Sequence, residues 1–152
     1  MTHLALFLNL PANWSGVGVN HENEAFTARL TIEVLVGGKA AKLDYIATRN
    51  DGKHLHCESG LISMDQNGTI CLWPVMEELP FLIPHRAADV RVDSDAWSVT
   101  FATGEEGIAV SFQEEIVIFK DSAGNLGYEH RWGMPGRKFG PKSACTFTPL
   151  IP

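Results

Sequence analysis

Three side chains able to bind a metal or carry a proton stand at alternate positions in one short stretch: His54, His56 and Glu58. In a strand, residues two apart share a face, so the two imidazoles and the carboxylate converge as ligands or as a proton relay. One reading of this His-x-His-x-Glu strand is therefore a metal-dependent enzyme. The other is structural, with one histidine facing solvent or a hydrogen-bonding neighbour and Glu58 a solvated or paired strand residue. A local bulge would send Leu55 and His56 to the same side and break the alternation.

A second patch lies near the end of the chain, where Tyr128, His130 and Trp132 alternate with Glu129 and Arg131. These residues form either a pocket wall or an exterior face packed against the terminal loop. Trp14, Trp73, Trp97 and Tyr45 add broad apolar surfaces, each with a donor that needs a partner if buried. Most read as core or wall residues, with a subset lining a cavity. Nucleophilic catalysis has little support, because no serine sits in a Gly-x-Ser-x-Gly elbow and Cys57 points away from His56 across the strand. Gly16-Val17-Gly18 lies in strand-like sequence with no helix after it, which excludes a phosphate loop and leaves close packing or strand curvature as its use.

The elements that must position these groups read as strands. Phe26 to Val36 alternates, with Phe26, Ala28, Leu30, Ile32 and Val34 on one face, Gly37-Gly38 suits a tight hairpin, and Ala41 to Thr48 returns with Leu43, Tyr45 and Ala47 at period two. Further strands are expected at His54 to Met64, Thr69 to Val75, Ala87 to Val92, Trp97 to Thr103, Ile108 to Phe119, Leu126 to Trp132 and Cys145 to Pro149. Turn-forming sequences separate them. Prolines 74, 80 and 84 make Met76 to His85 an irregular or edge segment flanking an opening. With no long segment of helical period, a closed all-β barrel of about ten antiparallel strands is expected, since closure removes exposed sheet edges.

The length of 152 residues and 45% hydrophobic content suit one domain spanning 1–152. A formal net charge of −6 argues against nucleic-acid partners, which require clustered Lys and Arg. No apolar run approaches the roughly 20 residues of a membrane-crossing helix, so no membrane insertion is expected. The apolar start, Met1 to Pro11, lacks a Lys or Arg lead and a small-residue cleavage site, and reads as mature structure. Three widely spaced cysteines, Cys57, Cys71 and Cys145, make a disulfide framework unexpected and fit a reducing cytoplasm.

The segments Asn13-Trp14-Ser15-Gly16-Val17-Gly18 and His56-Cys57-Glu58-Ser59-Gly60, with the hairpin ending at Leu43-Asp44-Tyr45, resemble the nitrobindin-like family of small haem-binding β-barrels. That resemblance implies a ten-stranded up-and-down barrel of calycin or lipocalin type, related in architecture to fatty-acid-binding proteins. It also implies an apolar cavity with His56 on its pocket side; the family's cofactor is haem b, but the resemblance does not imply that this chain retains it. The activity it implies is nitric oxide binding and isomerisation of peroxynitrite to nitrate. The family's axial histidine falls in a Pro-His pair near the C-terminus; the comparable place here is Pro141-Lys142, and no histidine follows His130. A protonated lysine has no lone pair for iron, which leaves His56 or His130 as the metal ligand.

The first expectation is thus a non-enzymatic barrel that binds a small apolar or amphipathic molecule. Its expected wall is Trp14, Tyr45, His56, Tyr128, His130 and Trp132. A haem protein, acting as a peroxynitrite isomerase, ranks second; the metal-dependent enzyme follows, and a packed barrel serving as an interaction module comes last.

Overall fold

Alternating apolar and polar side chains carry nearly the whole chain into ten strands. The computed structural model describes residues 2–104, 112–133 and 140–152. The strands are β1 (Asn13–Asn20), β2 (Ala25–Leu35), β3 (Ala40–Arg49), β4 (His54–Met64), β5 (Ile70–Met76), β6 (His85–Val92), β7 (Trp97–Ala102), β8 (Gln113–Lys120), β9 (Leu126–Gly133) and β10 (Gly140–Pro149). Each pairs antiparallel with its sequence neighbours, and β1 pairs with β10, so the sheet closes into an up-and-down barrel. This is the all-β class expected from the alternation.

Most strand limits fall within a residue or two of the sequence expectation. β10 differs most, beginning at Gly140 rather than Cys145, because Pro141-Lys142-Ser143 joins the ladder through a register shift opposite Arg131 and His130. The expected strand from Ile108 is described only from residue 112 onward; its first part and the Glu105-Glu106-Gly107 turn lie outside the described residues. The β2–β3 turn forms where Gly37-Gly38 was expected to make it, with Val36, Gly37 and Gly38 all at positive φ (49°, 65° and 89°).

Along β1, Gly16 and Gly18 face the barrel interior because nothing larger fits. A Cβ on Gly18 would stand 2.4 Å from Ala144 O and 2.4 Å from the Phe26 ring. The missing side chains let Phe26 and Phe147 lie over the β1 backbone.

The two ends of the barrel differ. One end is solid: Leu30, Leu43, Ile62, Ile70, Phe101, Ile116, Ile118 and Phe147 are all buried there or along the interior. A single helical turn, α1 (Ala5–Leu8), corks this end, with Phe7 fully buried against Trp97 and Phe101 at ring-centroid distances of 5.1 and 6.0 Å. No helix had been expected here. One turn is too short to establish a 3.6-residue period, and Leu4, Leu6, Phe7, Leu8 and Leu10 fit either reading. The other end is open and carries the site.

Candidate functional site

At the open end the inward side chains stop short of filling the barrel and leave a cavity of about 490 Å³. Its walls are mostly apolar: Phe26, Tyr45, Ala47, Leu55, Met76, Leu79, Phe112 and Trp132. The polar lining is His56, Glu78, Glu114, His130 and Ser143, with Asn20, His21 and Lys142 at strand ends. The segment after β5 supplies Glu78 and Leu79, so it borders an opening, as its prolines suggested.

The polar groups converge because of a bulge. β3 and β4 shift register between Ala47 and Thr48, where Ala47 faces His56 and Thr48 faces His54. Leu55 is the extra residue, and it lines the cavity beside His56 while His54 is exposed. The expected grouping of His54 with His56 and Glu58 is therefore corrected: inward alternation resumes only at His56. The second imidazole is His130, brought across the barrel by β9.

Glu58 is the centre of this cluster. Its side chain is buried, and its Oε2 accepts from His130 Nε2 at 2.8 Å and from His56 Nε2 at 3.0 Å. Its Oε1 accepts from the Tyr128 hydroxyl. His56 Nδ1 donates to Glu78 Oε1 at 2.8 Å, and His130 Nδ1 lies 3.3 Å from Ser143 Oγ. Tyr45 stacks on Tyr128 with centroids 5.0 Å apart and meets His56 and His130 edge-on.

The electrostatics follow from these contacts. Burial raises the pKa of Glu58, but the charges and hydrogen bonds of His130 and His56 outweigh it and hold the carboxyl well below its ordinary range. Burial likewise opposes charge on His56, yet its bonds to Glu58 and Glu78 win and raise it to about 10. Both nitrogens of His56 face carboxylate oxygens, so the ring is an imidazolium. Tyr128 is pushed well above an ordinary phenol by its burial and by Glu58, and remains a donor.

A second buried pair stands apart from this cluster. His85, fully buried at the start of β6, donates Nδ1–H to Ile83 O at 2.8 Å and holds Glu114 Oε1 at 2.8 Å on Nε2. Glu114 was readable as an inward residue, since it shares a face with Ile116 and Ile118. Its partner, 29 residues earlier and directly after Pro84, was not.

Of the residues expected to line a ligand site, Tyr45, His56, His130 and Trp132 do line the cavity. Tyr128 lies behind that wall, on Glu58. Trp14 is a correction. It faces inward but near the corked end, 1% exposed, with its indole N–H on Pro11 O at 2.7 Å. Six residues of β1, roughly 20 Å, separate it from Asn20 at the mouth. Sequence reading passed over Glu78, Ser143 and His21 as lining residues, and treated Lys142 only as a failed iron ligand. Lys142 instead stands 4.6 Å above the Trp132 ring, a cation–π contact at the rim.

These residues do not fit haem. Iron in a porphyrin needs an imidazole lone pair facing the ring plane. Both His56 and His130 turn Nε2 onto Glu58, with all three ligand atoms within 4.8 Å of one another. Neither ring, so placed, presents a free lone pair to an iron in the cavity.

Comparison with known proteins supports the architecture. No protein-family model and no curated protein matches the sequence. The chain is similar in structure to Rv2717c from M. tuberculosis, with a TM-score of 0.78 at 16% identity over 99% of both chains. It is also similar to a redesigned β-barrel, b11L5F_LGL, with a TM-score of 0.50 at 12% identity over 99% of this chain and 98% of that one. At these identities the likeness is one of fold: a closed, up-and-down antiparallel barrel.

Proposed function

We propose that this barrel binds a small hydrophobic or amphipathic molecule, with its apolar body between Phe26, Leu55, Met76 and Trp132 and its polar end toward His56 and His130. The observation that carries the reading is the cavity of about 490 Å³, walled mostly by apolar side chains with a few polar groups on one side. Pockets of roughly 300 to 1,000 Å³ with this division of chemistry suit small organic ligands. The Lys142 ammonium at the rim offers donors to a carboxylate, carbonyl or hydroxyl head.

Native mass spectrometry of protein purified from its own cells tests this directly, with a small-molecule adduct of reproducible mass expected. An environment-sensitive apolar dye should bind with saturation. Ala47→Phe, which fills the cavity from its wall, should weaken that binding about tenfold or more while the circular dichroism spectrum stays unchanged. Protein free of any adduct, together with dye binding indifferent to Ala47→Phe, overturns the proposal.

A further inference from the structure

We infer that His56, Glu58 and His130 form a binding site for a divalent transition-metal ion of the zinc type, open toward the cavity. This goes beyond organic ligand binding and rests on a separate observation. The three ligand atoms, Nε2 of each histidine and one carboxylate oxygen, come from β4 and β9 and lie within 4.8 Å of one another. The two separations from Glu58 are 3.0 and 2.8 Å. Zinc bonds of about 2.0 to 2.2 Å need donor atoms roughly 3 to 3.5 Å apart, so a slight closing of the two rings brings all three into range. Two imidazoles and one carboxylate match the protein ligands of a site that keeps a position open.

The surroundings of the three ligands argue most strongly for an ion. Metal-binding histidines characteristically give their other ring N–H to a carboxylate or another oxygen, which fixes the ring and its tautomer. Here Glu78 takes Nδ1 of His56 at 2.8 Å and Ser143 Oγ lies 3.3 Å from Nδ1 of His130. The third ligand is fixed the same way, because the Tyr128 hydroxyl holds the carboxylate oxygen that faces away from the histidines. Each ligand thus has its own support behind it, and all three converge on one point. A purely structural cluster needs only the carboxylate neutralised by one imidazole. On binding, the ion takes the Nε2 lone pairs in place of protons, and each ring keeps its Nδ1–H for Glu78 or Ser143. Histidine and cavity then meet at one ion, whose remaining positions face the space lined by Leu55 and Met76.

The test uses the whole chain stripped with chelator. Zn²⁺ titrated against a chromogenic chelator should bind at one equivalent per chain, and Co²⁺ should give the visible absorption of a low-symmetry site. Glu78→Gln, at a half-exposed position that touches no ion, should weaken Zn²⁺ about 10- to 100-fold while the Co²⁺ spectrum keeps its form. His130→Ala should weaken it further and abolish that spectrum. Circular dichroism on each variant separates this from unfolding, and Tyr128→Phe, which leaves all three ligands, retains the stoichiometry. Absence of saturable Zn²⁺ binding by folded wild-type protein overturns the site. Equal binding by His130→Ala does so too, since it assigns the ion to exposed histidines such as His3, His21 and His54. Dye binding measured in chelator reports on the organic ligand alone, so either reading can fail without the other.

Discussion

His130 donates its Nε2 proton to Glu58 Oε2 across 2.8 Å, joining β9 to β4 over 72 residues of sequence. Neither residue is next to the other in the sheet. The contact exists because the barrel closes and because each side chain is the last inward polar group beneath the cavity. Among the described residues no buried side-chain nitrogen or oxygen lacks a partner, so the cluster can be dissected one bond at a time.

The Tyr128 hydroxyl is the simplest of these bonds to remove. Tyr128→Phe keeps the ring stacked on Tyr45 and deletes only the donor to Glu58 Oε1. A buried carboxylate short of one donor costs about 1 to 3 kcal/mol. For a chain of this length that corresponds to a fall in Tm of roughly 2 to 4 °C per kcal/mol. Calorimetry of metal-free protein checks the value, and an unchanged Tm would mean that Glu58 does not depend on this phenol.

Stability of the metal-free protein should fall on the alkaline side through His56. Its folded pKa is raised to about 10 from an ordinary 6.5. The folded state therefore holds a proton that the unfolded chain releases, and the contribution is complete below pH 6.5 and lost as pH rises toward 10. Glu58 acts in the opposite sense: its pKa is lowered, so its contribution is present above about 4.5 and lost as pH falls. In urea unfolding at pH 6.5, 8 and 10, the stability difference between wild type and His56→Leu should shrink with each step. A difference constant across that range rules out the imidazolium.

Gly18→Ala should be among the most damaging surface-distant changes in β1. The new methyl would meet Ala144 O and the Phe26 ring at 2.4 Å, and a backbone oxygen in a ladder cannot step aside. Overpacking of this kind costs about 1 to 3 kcal/mol or more. The expected results are a lower urea midpoint and weakened dye binding, because Phe26 also lines the cavity. Wild-type behaviour in both assays would show that β1 and β10 can separate without penalty.

How much of this was readable beforehand depended on whether the information was local. The alternation of Phe26 to Ile32 assigned its inward face correctly, because a regular strand has no other way to bury one side, whereas that of Tyr128, His130 and Trp132 gave one shared face and left open whether it turned inward. Of the His54, His56 and Glu58 grouping only His54 drops out, through the bulge at Leu55 that was held open as an alternative but leaves no mark in composition. Glu58 was recognised as a possible ligand, but its partners Tyr128 and His130 are defined by barrel closure, and Glu78 by a proline-bounded loop. The α1 cork escaped for the related reason that a single turn has no period to detect.

The His85–Glu114 pair offers the last test, because it separates an interaction from its desolvation. Both side chains are buried and 2.8 Å apart, and His85 also needs Ile83 O for its second nitrogen. Breaking such a pair from one side leaves a buried polar group without its partner and costs about 1 to 3 kcal/mol, whereas replacing both partners by apolar residues is often close to neutral. His85→Leu alone should therefore strongly lower the urea midpoint. The double variant His85→Leu with Glu114→Leu should recover most of the loss, giving a large favourable coupling in the double-mutant cycle. If the double variant instead loses the sum of the single effects, His85 and Glu114 act independently and the pair is two separate anchors for β6 and β8.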